Sequence, residues 1–259
     1  NYKLLHGNCL ELRAQIAILD TDYKSALNFL GDSEKSLSDQ PGRYLLYVNK
    51  WKAVCNLALS PQDSIAKESL LKVKDEALLL KNWETIRDCD FHLARLSENH
   101  DLLQRILLGT PYQGYHDRVQ SLFGVSMSQS RRLEFCPSEP STSPIRTGLD
   151  LNKISENAFL NSTSWPLIRL MTKDIYRPPR MGVVFNGIYG REYFDPFTSP
   201  QRVRNSIFRF NEWAEQNSCE FKIKIHDGDF KLVGAPGLSI LTTQRERPLD
   251  SWQAALMFF

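Results

Sequence analysis

The stretch TSPQRVRNSIFRFNEWAEQNSCEFKIKIHDGDFKLVG, Thr198–Gly234, decides the fold of the second half of the chain. Its first part predicts a helix over residues 199–217. Ser199 can cap the free backbone N–H groups of this helix, and Pro200 suits its first position. An apolar stripe recurs at i, i+4, i+7 and i+11, formed by Val203, Ile207, Phe210 and Ala214. This period predicts one buried helical face.

The opposite face of the same helix is polar. It carries Gln201, Arg202, Asn205 and Arg209. Arginine pairs with guanine in the major groove of DNA, and asparagine or glutamine pairs with adenine. We therefore predict that these four side chains contact base edges.

The second part of the stretch predicts a two-stranded ribbon. Apolar residues alternate with Lys222 and Lys224, Asp227–Gly228 is a hairpin turn signal, and 230–233 returns as the second strand. Together with Lys231 in the second strand, these lysines are predicted to contact a phosphate backbone. An alternative interpretation is an amphipathic helix beside a hairpin whose charges are merely solvated.

Two further helices are predicted upstream. Ser164 can cap a helix over 165–176, the sequence RPPR at Arg177–Arg180 breaks it, and Met181–Tyr189 predicts a short second helix. The order is helix, turn, helix, loop, helix, hairpin. The predicted phosphate contacts outside the ribbon are Arg177, Arg180, Arg191 and Arg204.

This order resembles the winged-helix DNA-binding domain of the OmpR/PhoB type over roughly Arg131–Gly234. RVRNSIFRFNEW (Arg202–Trp213) is similar to the recognition helix of that family, and IKIHDGDFKLVG (Ile223–Gly234) to its terminal hairpin. RRLEF (131–135) and GLDL (148–151) correspond to strands ahead of the first helix. The resemblance implies a bacterial transcriptional regulator that binds double-stranded DNA. One departure is the acidic hairpin turn (227–229), since the family often has a basic residue there.

The first half of the chain predicts helices joined by short turns, which favours antiparallel helix pairs. The predicted helices span 4–19, 23–37, 43–59, 62–80, 83–97 and 100–108. Ala14, Tyr23, Ala26 and Leu30 resemble the packing positions of a tetratricopeptide-like repeat, which implies a surface for partner binding or dimerisation. An ordinary helical bundle is the alternative.

The composition places domain boundaries between these parts. We expect a tetratricopeptide-like helical domain at 1–123, a Ser/Pro-rich linker at 124–146, a winged helix at 147–236 and a tail at 237–259. The tail predicts a strand at Leu238–Thr242 and a helix at Leu249–Phe259 that docks on the helical domain. The fold class is thus mainly α with a small α+β part. The sequence does not begin with Met, which is compatible with a fragment of a longer chain.

Charge, cysteine content and targeting signals narrow the class of protein. The chain carries a net charge of +2, and eleven Lys and Arg stand against eight Asp and Glu over 165–234. Nonspecific DNA affinity should therefore be modest. Five scattered cysteines are typical of a reducing compartment. Neither a signal peptide nor a membrane span is evident in the sequence, so we expect a cytoplasmic location.

The sequence gives little indication of catalysis, and we predict neither an enzyme nor a cofactor. Cys89 and His92 stand one helical turn apart, but a second pair of metal ligands in register is missing, so no metal site is predicted. Two functions remain open: a DNA-binding transcriptional regulator, and a scaffold in which the winged helix binds protein.

Overall fold

The computed structural model describes residues 2–124, 131–135, 163–190, 192–216, 221–234 and 238–242. The chain is mainly helical with small antiparallel sheets, and it divides into two compact units, Asn1–Leu103 and Gln104–Phe259. The sequence had suggested a division at the 124–146 linker, most of which lies outside the described residues.

The first unit contains five successive helices near their predicted positions and the start of a sixth. They are α1 (Tyr2–Leu19), α2 (Tyr23–Leu37), α3 (Gly42–Leu59), α4 (Ser64–Leu79), α5 (Trp83–Leu96) and α6 (His100–Gly109), which continues into the second unit. Each of α1 to α5 packs on its neighbour in sequence, and α3 also contacts both α1 and α5. The short joins reverse the chain each time, so neighbouring helices run antiparallel.

Three of these joins have the same construction, a residue with positive φ followed by Asp or Asn. They are Thr21–Asp22, Lys81–Asn82 and Glu98–Asn99. In each, the Asp or Asn side chain accepts a hydrogen bond from a backbone N–H in the next helix, at Ser25, Thr85 and Leu102 respectively. Such caps satisfy N–H groups that have no partner within the helix.

Small residues bring α1 and α2 close together. Ala14 and Ala26 are fully buried, as expected for closely approaching helices. A Cβ added at Gly7 would lie 2.5 Å from Cγ of Leu37, and the Ser33 hydroxyl donates to the Gly7 carbonyl at 2.8 Å. Glycine at position 7 therefore permits this approach, since any larger residue would displace Leu37.

The second unit contains the predicted helix–helix–helix–hairpin order. Its elements after α6 are α7 (Gln113–Phe123), β1 (Arg131–Phe135), α8 (Ser164–Lys173), α9 (Met181–Tyr189), α10 (Ser199–Gln216), β2 (Phe221–His226), β3 (Asp229–Gly234) and β4 (Leu238–Thr242). The predicted strands at 131–135 and 238–242 are confirmed and pair with each other antiparallel. The predicted strand at 148–151 and helix at 249–259 lie outside the described residues.

Several helix boundaries differ from the predictions by a few residues, and side-chain hydrogen bonds explain the differences in the second unit. α8 ends at Lys173 rather than near 176, because the Asp174 carboxylate accepts the N–H groups of Tyr176 and Arg177. Ser164 is the first residue of α8, and Thr163 precedes it. The Ser199 hydroxyl likewise accepts the backbone N–H of Asp195, so it ties the preceding loop to α10 and does not cap the helix as predicted.

One apolar core holds α8, α9, α10 and the β2–β3 ribbon together. It includes the stripe predicted from the sequence, Val203, Ile207, Phe210 and Ala214. Leu167, Ile168 and Met171 of α8 and Phe221, Ile223 and Phe230 of the ribbon complete most of it. This burial fixes which face of α10 remains open to solvent.

Candidate nucleic-acid interface

The exposed side of α10 forms a polar surface with one aromatic ring. We call it the recognition face, and its residues are Gln201, Arg204, Asn205, Phe208, Arg209 and Glu212. The Gln201 amide donates to Oδ1 of Asn205 at 2.9 Å, so these two side chains are aligned along one edge. The structure therefore brings together three of the four residues predicted to contact bases.

Arg202, the fourth of these residues, lies at the flank of the helix. Its guanidinium stacks 4.1 Å from the ring centroid of Tyr189 and forms an ion pair with Glu192 at 2.8 Å. The hydrogen bond that Arg202 donates to the Glu192 carboxylate is the main reason that the pKa of Arg202 is raised. To contact a base, Arg202 must leave both partners.

The solvent face of the ribbon carries the three predicted lysines. In the antiparallel register Lys224 stands directly opposite Lys231, and Lys222 follows two residues along the same face. Like charges directly opposite each other are destabilising in a sheet. An anion beside these lysines would be attracted by several cations at once, so the face is suited to a phosphate group.

Both edges of the ribbon are tied to neighbouring elements. On the β2 edge, the Asn211 amide of α10 donates to the Ile223 carbonyl at 2.9 Å and accepts the Ile223 N–H at 2.8 Å. On the β3 edge, the Phe230 N–H donates to the Pro179 carbonyl, and Arg180 bridges to Asp229. The position of the ribbon is therefore fixed by hydrogen bonds of its outward-facing backbone groups to the Asn211 side chain of α10 and to the Pro179 carbonyl.

The hairpin turn is less acidic at its surface than its sequence indicates. Asp227 and Gly228 both have positive φ, as in the primed turns that match strand twist. Asp229 is 3% exposed, and its carboxylate lies 3.7 Å from Nε of Arg180. Only Asp227 among these turn residues presents its carboxylate to solvent, where His226 approaches it at 3.4 Å.

The other cations predicted to contact phosphate are distributed around this surface. Arg204 is exposed on the recognition face, Arg180 is exposed beside the ribbon, and Arg177 is half-buried in the connection after α8. Arg191 lies outside the described residues.

The loop before α10 is ordered by one carboxylate. Asp195 accepts the Phe197 N–H at 2.9 Å and the Thr198 hydroxyl at 2.8 Å. The Phe197 N–H is the main reason that the pKa of Asp195 is lowered, followed by the Thr198 hydroxyl. These bonds set the angle at which the chain enters α10.

Sequence reasoning missed Asn211 and three exposed aromatic rings. Tyr193, Phe197 and Phe208 are 84%, 93% and 63% exposed. Phe208 follows Gln201 by seven residues, so helical spacing alone could have placed it on the recognition face. The role of Asn211 had no sequence signal, because its partner lies in a different element.

Comparison with protein-family models, curated proteins and solved structures found no match to this chain.

The thiol of Cys89 is poorly suited to bind a metal ion. Cys89 is fully buried, and desolvation raises its pKa to about 12, so the thiol is protonated near neutral pH. Within the described ranges, His, Cys, Asp and Glu side chains nowhere form a group of three suited to a metal ion. The helices in those ranges are also too short or too polar to cross a bilayer.

Proposed function

We propose that this chain is a DNA-binding transcriptional regulator. In this proposal the second unit is a winged helix of the OmpR/PhoB type, and its recognition helix (199–217 in the sequence) enters the major groove. The first unit is a tetratricopeptide-like domain that binds a partner or self-associates. The absence of a membrane-spanning helix among the described residues is compatible with this function.

The observation that carries the proposal is the fixed pairing of the recognition face with a cationic ribbon. Asn211 lies on the same line of α10 as Arg204 and Phe208, at i+7 and i+3, and it clamps the edge of β2. The lysine face of the ribbon is therefore held next to the recognition face. A helix that presents base-reading side chains beside phosphate-binding cations is what duplex recognition requires.

The roles of individual residues follow from their positions. α10 has 18 residues and is ~27 Å long, and the major groove admits a helix of this diameter. Gln201, Asn205 and Arg209 would contact base edges, and Arg202 would join them after release from Glu192. Phosphates would be bound by Arg177, Arg180, Arg191, Arg204, Lys222, Lys224 and Lys231.

Selection of random duplexes at two salt concentrations tests the proposal. We expect enrichment of a defined half-site, and Arg209→Ala should relax the preference at one base pair by ~1–3 kcal/mol. Lys224→Ala should weaken binding to all sequences and lower the salt slope by about one unit. Lys67→Ala is the matched control, because it removes the same charge from an exposed position of α4 in the first unit.

A protein-binding scaffold is the second candidate function. The exposed rings of Tyr193, Phe197 and Phe208 favour it, because aromatic side chains are enriched in protein interfaces. Equal binding of all duplexes by the native chain and by Arg209→Ala would argue against base reading. Absence of both enrichment and salt-dependent binding would leave the scaffold as the better explanation.

A further inference from the structure

Phe208 is an exposed phenylalanine within the otherwise polar recognition face. It is 63% exposed. It follows Gln201 by seven residues and Asn205 by three, so helical spacing places it on the same side of α10 as these two amides. Its neighbours Ile207 and Phe210 belong to the apolar core on the other side of the helix. Phe208 is therefore the apolar member of a surface whose five other residues are polar or charged.

The core of the second unit does not account for the position of this ring. Other rings of the unit pack in pairs, such as Phe185 with Tyr189 at 4.9 Å and Phe210 with Trp213 at 6.0 Å between centroids. Among the described residues, neither an aromatic ring nor a cation stacks on Phe208. A single exposed apolar residue is ordinary at a protein surface. What distinguishes Phe208 is the chemistry of the groups around it.

Phe208 lies between the amides of the recognition face and the side of α10 that holds the ribbon. At ~100° per residue, Asn205 and Asn211 lie ~60° to either side of it. On the first side, Gln201 and Asn205 are aligned by a hydrogen bond of 2.9 Å. On the second side, Asn211 is bonded to the edge of β2 at Ile223. The ring is therefore flanked by groups suited to bases and by the element that carries the lysine face.

We propose that the Phe208 ring contacts the 5-methyl group of a thymine in the major groove and is a specificity-determining residue of the recognition face. This inference rests on the proposed function, since it requires that α10 enters a duplex. The thymine methyl is the apolar feature of the major-groove edge of a base pair, and phenylalanine is one of the side chains that contact it.

The neighbouring amides favour thymine as the contacted base. Glutamine and asparagine pair with adenine in the major groove, so Gln201 and Asn205 favour A·T pairs at this part of the helix. Three helical residues from Asn205 to Phe208 rise by ~4.5 Å, which is little more than the ~3.4 Å between successive bases of one strand. The contacted thymine therefore lies in the pair that the amides read or in the next one.

Replacement of thymine by uracil tests this contact, because the two bases pair identically with adenine and differ only in the 5-methyl group. The probes are the duplex recovered by random selection and derivatives of it in which one thymine at a time is replaced by uracil. The native chain should bind one of these derivatives about fourfold more weakly, which corresponds to the loss of one buried methyl-sized group. Phe208→Ala should bind that derivative and the thymine duplex equally, and Phe208→Leu should retain part of the preference. Because Phe208 lies outside the apolar core, these variants should keep the native fold.

Phe197→Ala is the matched control. It removes an exposed phenylalanine (93%) from the loop before α10 and should keep the native preference for thymine. If the native chain binds all uracil derivatives as well as the thymine duplex, or if Phe208→Ala keeps the native preference, this inference is overturned while the proposed function stands. A native chain that selects no duplex would overturn both, and the exposed ring would then favour the protein-binding scaffold.

Discussion

Replacing Asn211 by alanine should release the ribbon from α10. The change removes two hydrogen bonds to Ile223, at 2.9 and 2.8 Å. Each bond contributes ~0.5–1.5 kcal/mol net. Ile223 is 3% exposed, so water reaches the freed backbone groups poorly. We therefore expect the local opening free energy at Ile223 to fall by about 1–3 kcal/mol.

Hydrogen exchange at the Ile223 amide measures this change directly. A loss of this size should raise the exchange rate by about 5- to 150-fold. Local exchange is the right assay because the chain has two compact units and a single unfolding transition cannot be assumed. Under the proposed function, duplex binding should also weaken on every sequence, since the lysine face loses its fixed position.

Asn205→Ala provides the matched control in the same helix. Asn205 is exposed and bonds only to exposed Gln201 among the hydrogen bonds described. Its loss should leave the Ile223 amide unchanged and alter only the preference for one base pair. An Asn211→Ala variant whose Ile223 amide exchanges as slowly as in the native chain would refute the assignment of Asn211 as the clamp.

Three further predictions address other parts of the chain. Glu192→Gln should free Arg202 and increase affinity for the selected half-site in a binding titration, whereas unchanged affinity would place Arg202 outside base reading. The pKa of the Asp195 carboxyl is lowered in the folded chain, so the carboxylate stabilises the loop at pH values above the ordinary pKa of an aspartate. This stabilisation is lost as the pH falls through the lowered pKa of the folded chain. Asp195→Asn should therefore unfold at a lower temperature than the native chain near neutral pH. A difference in unfolding temperature that persists in acid would contradict this reasoning. Gly7→Ala should lower stability by ~1–3 kcal/mol through the clash with Leu37, whereas Gly31→Ala, which has open space at its Cβ, should stabilise by ~0.4–1 kcal/mol. Equal effects of the two glycine changes would contradict close helix packing.

Local patterns were sufficient to predict α1 to α6, α8 to α10 and the strands β1 to β4 near their observed positions. The bounds of α2 and α9 were predicted to the residue, and the turn at Asp227–Gly228 adopts the expected positive φ values. These features depend on spacing and backbone preference within a few residues. The end of α8 was predicted too late, because the prolines at 178 and 179 indicate a break but the Asp174 side chain ends the helix before them.

The arrangement of the candidate interface could not be predicted in the same way. The sequence grouped Arg202 with Gln201, Asn205 and Arg209, but Tyr189 and Glu192 draw it to the flank of α10. These two residues precede the helix in the chain, so no periodicity within the helix could reveal the contact.

The sequence by itself determined most helices in both halves of the chain, the apolar stripe of α10, and the alternation of apolar and polar residues in the ribbon. These features follow from short-range periodicity. Tertiary structure alone decided that Asn211 fixes the ribbon and that Asp229 is buried beside Arg180. The physical reason is the same in each case. Hydrogen bonding and burial depend on residues that are distant in the chain and adjacent only after folding.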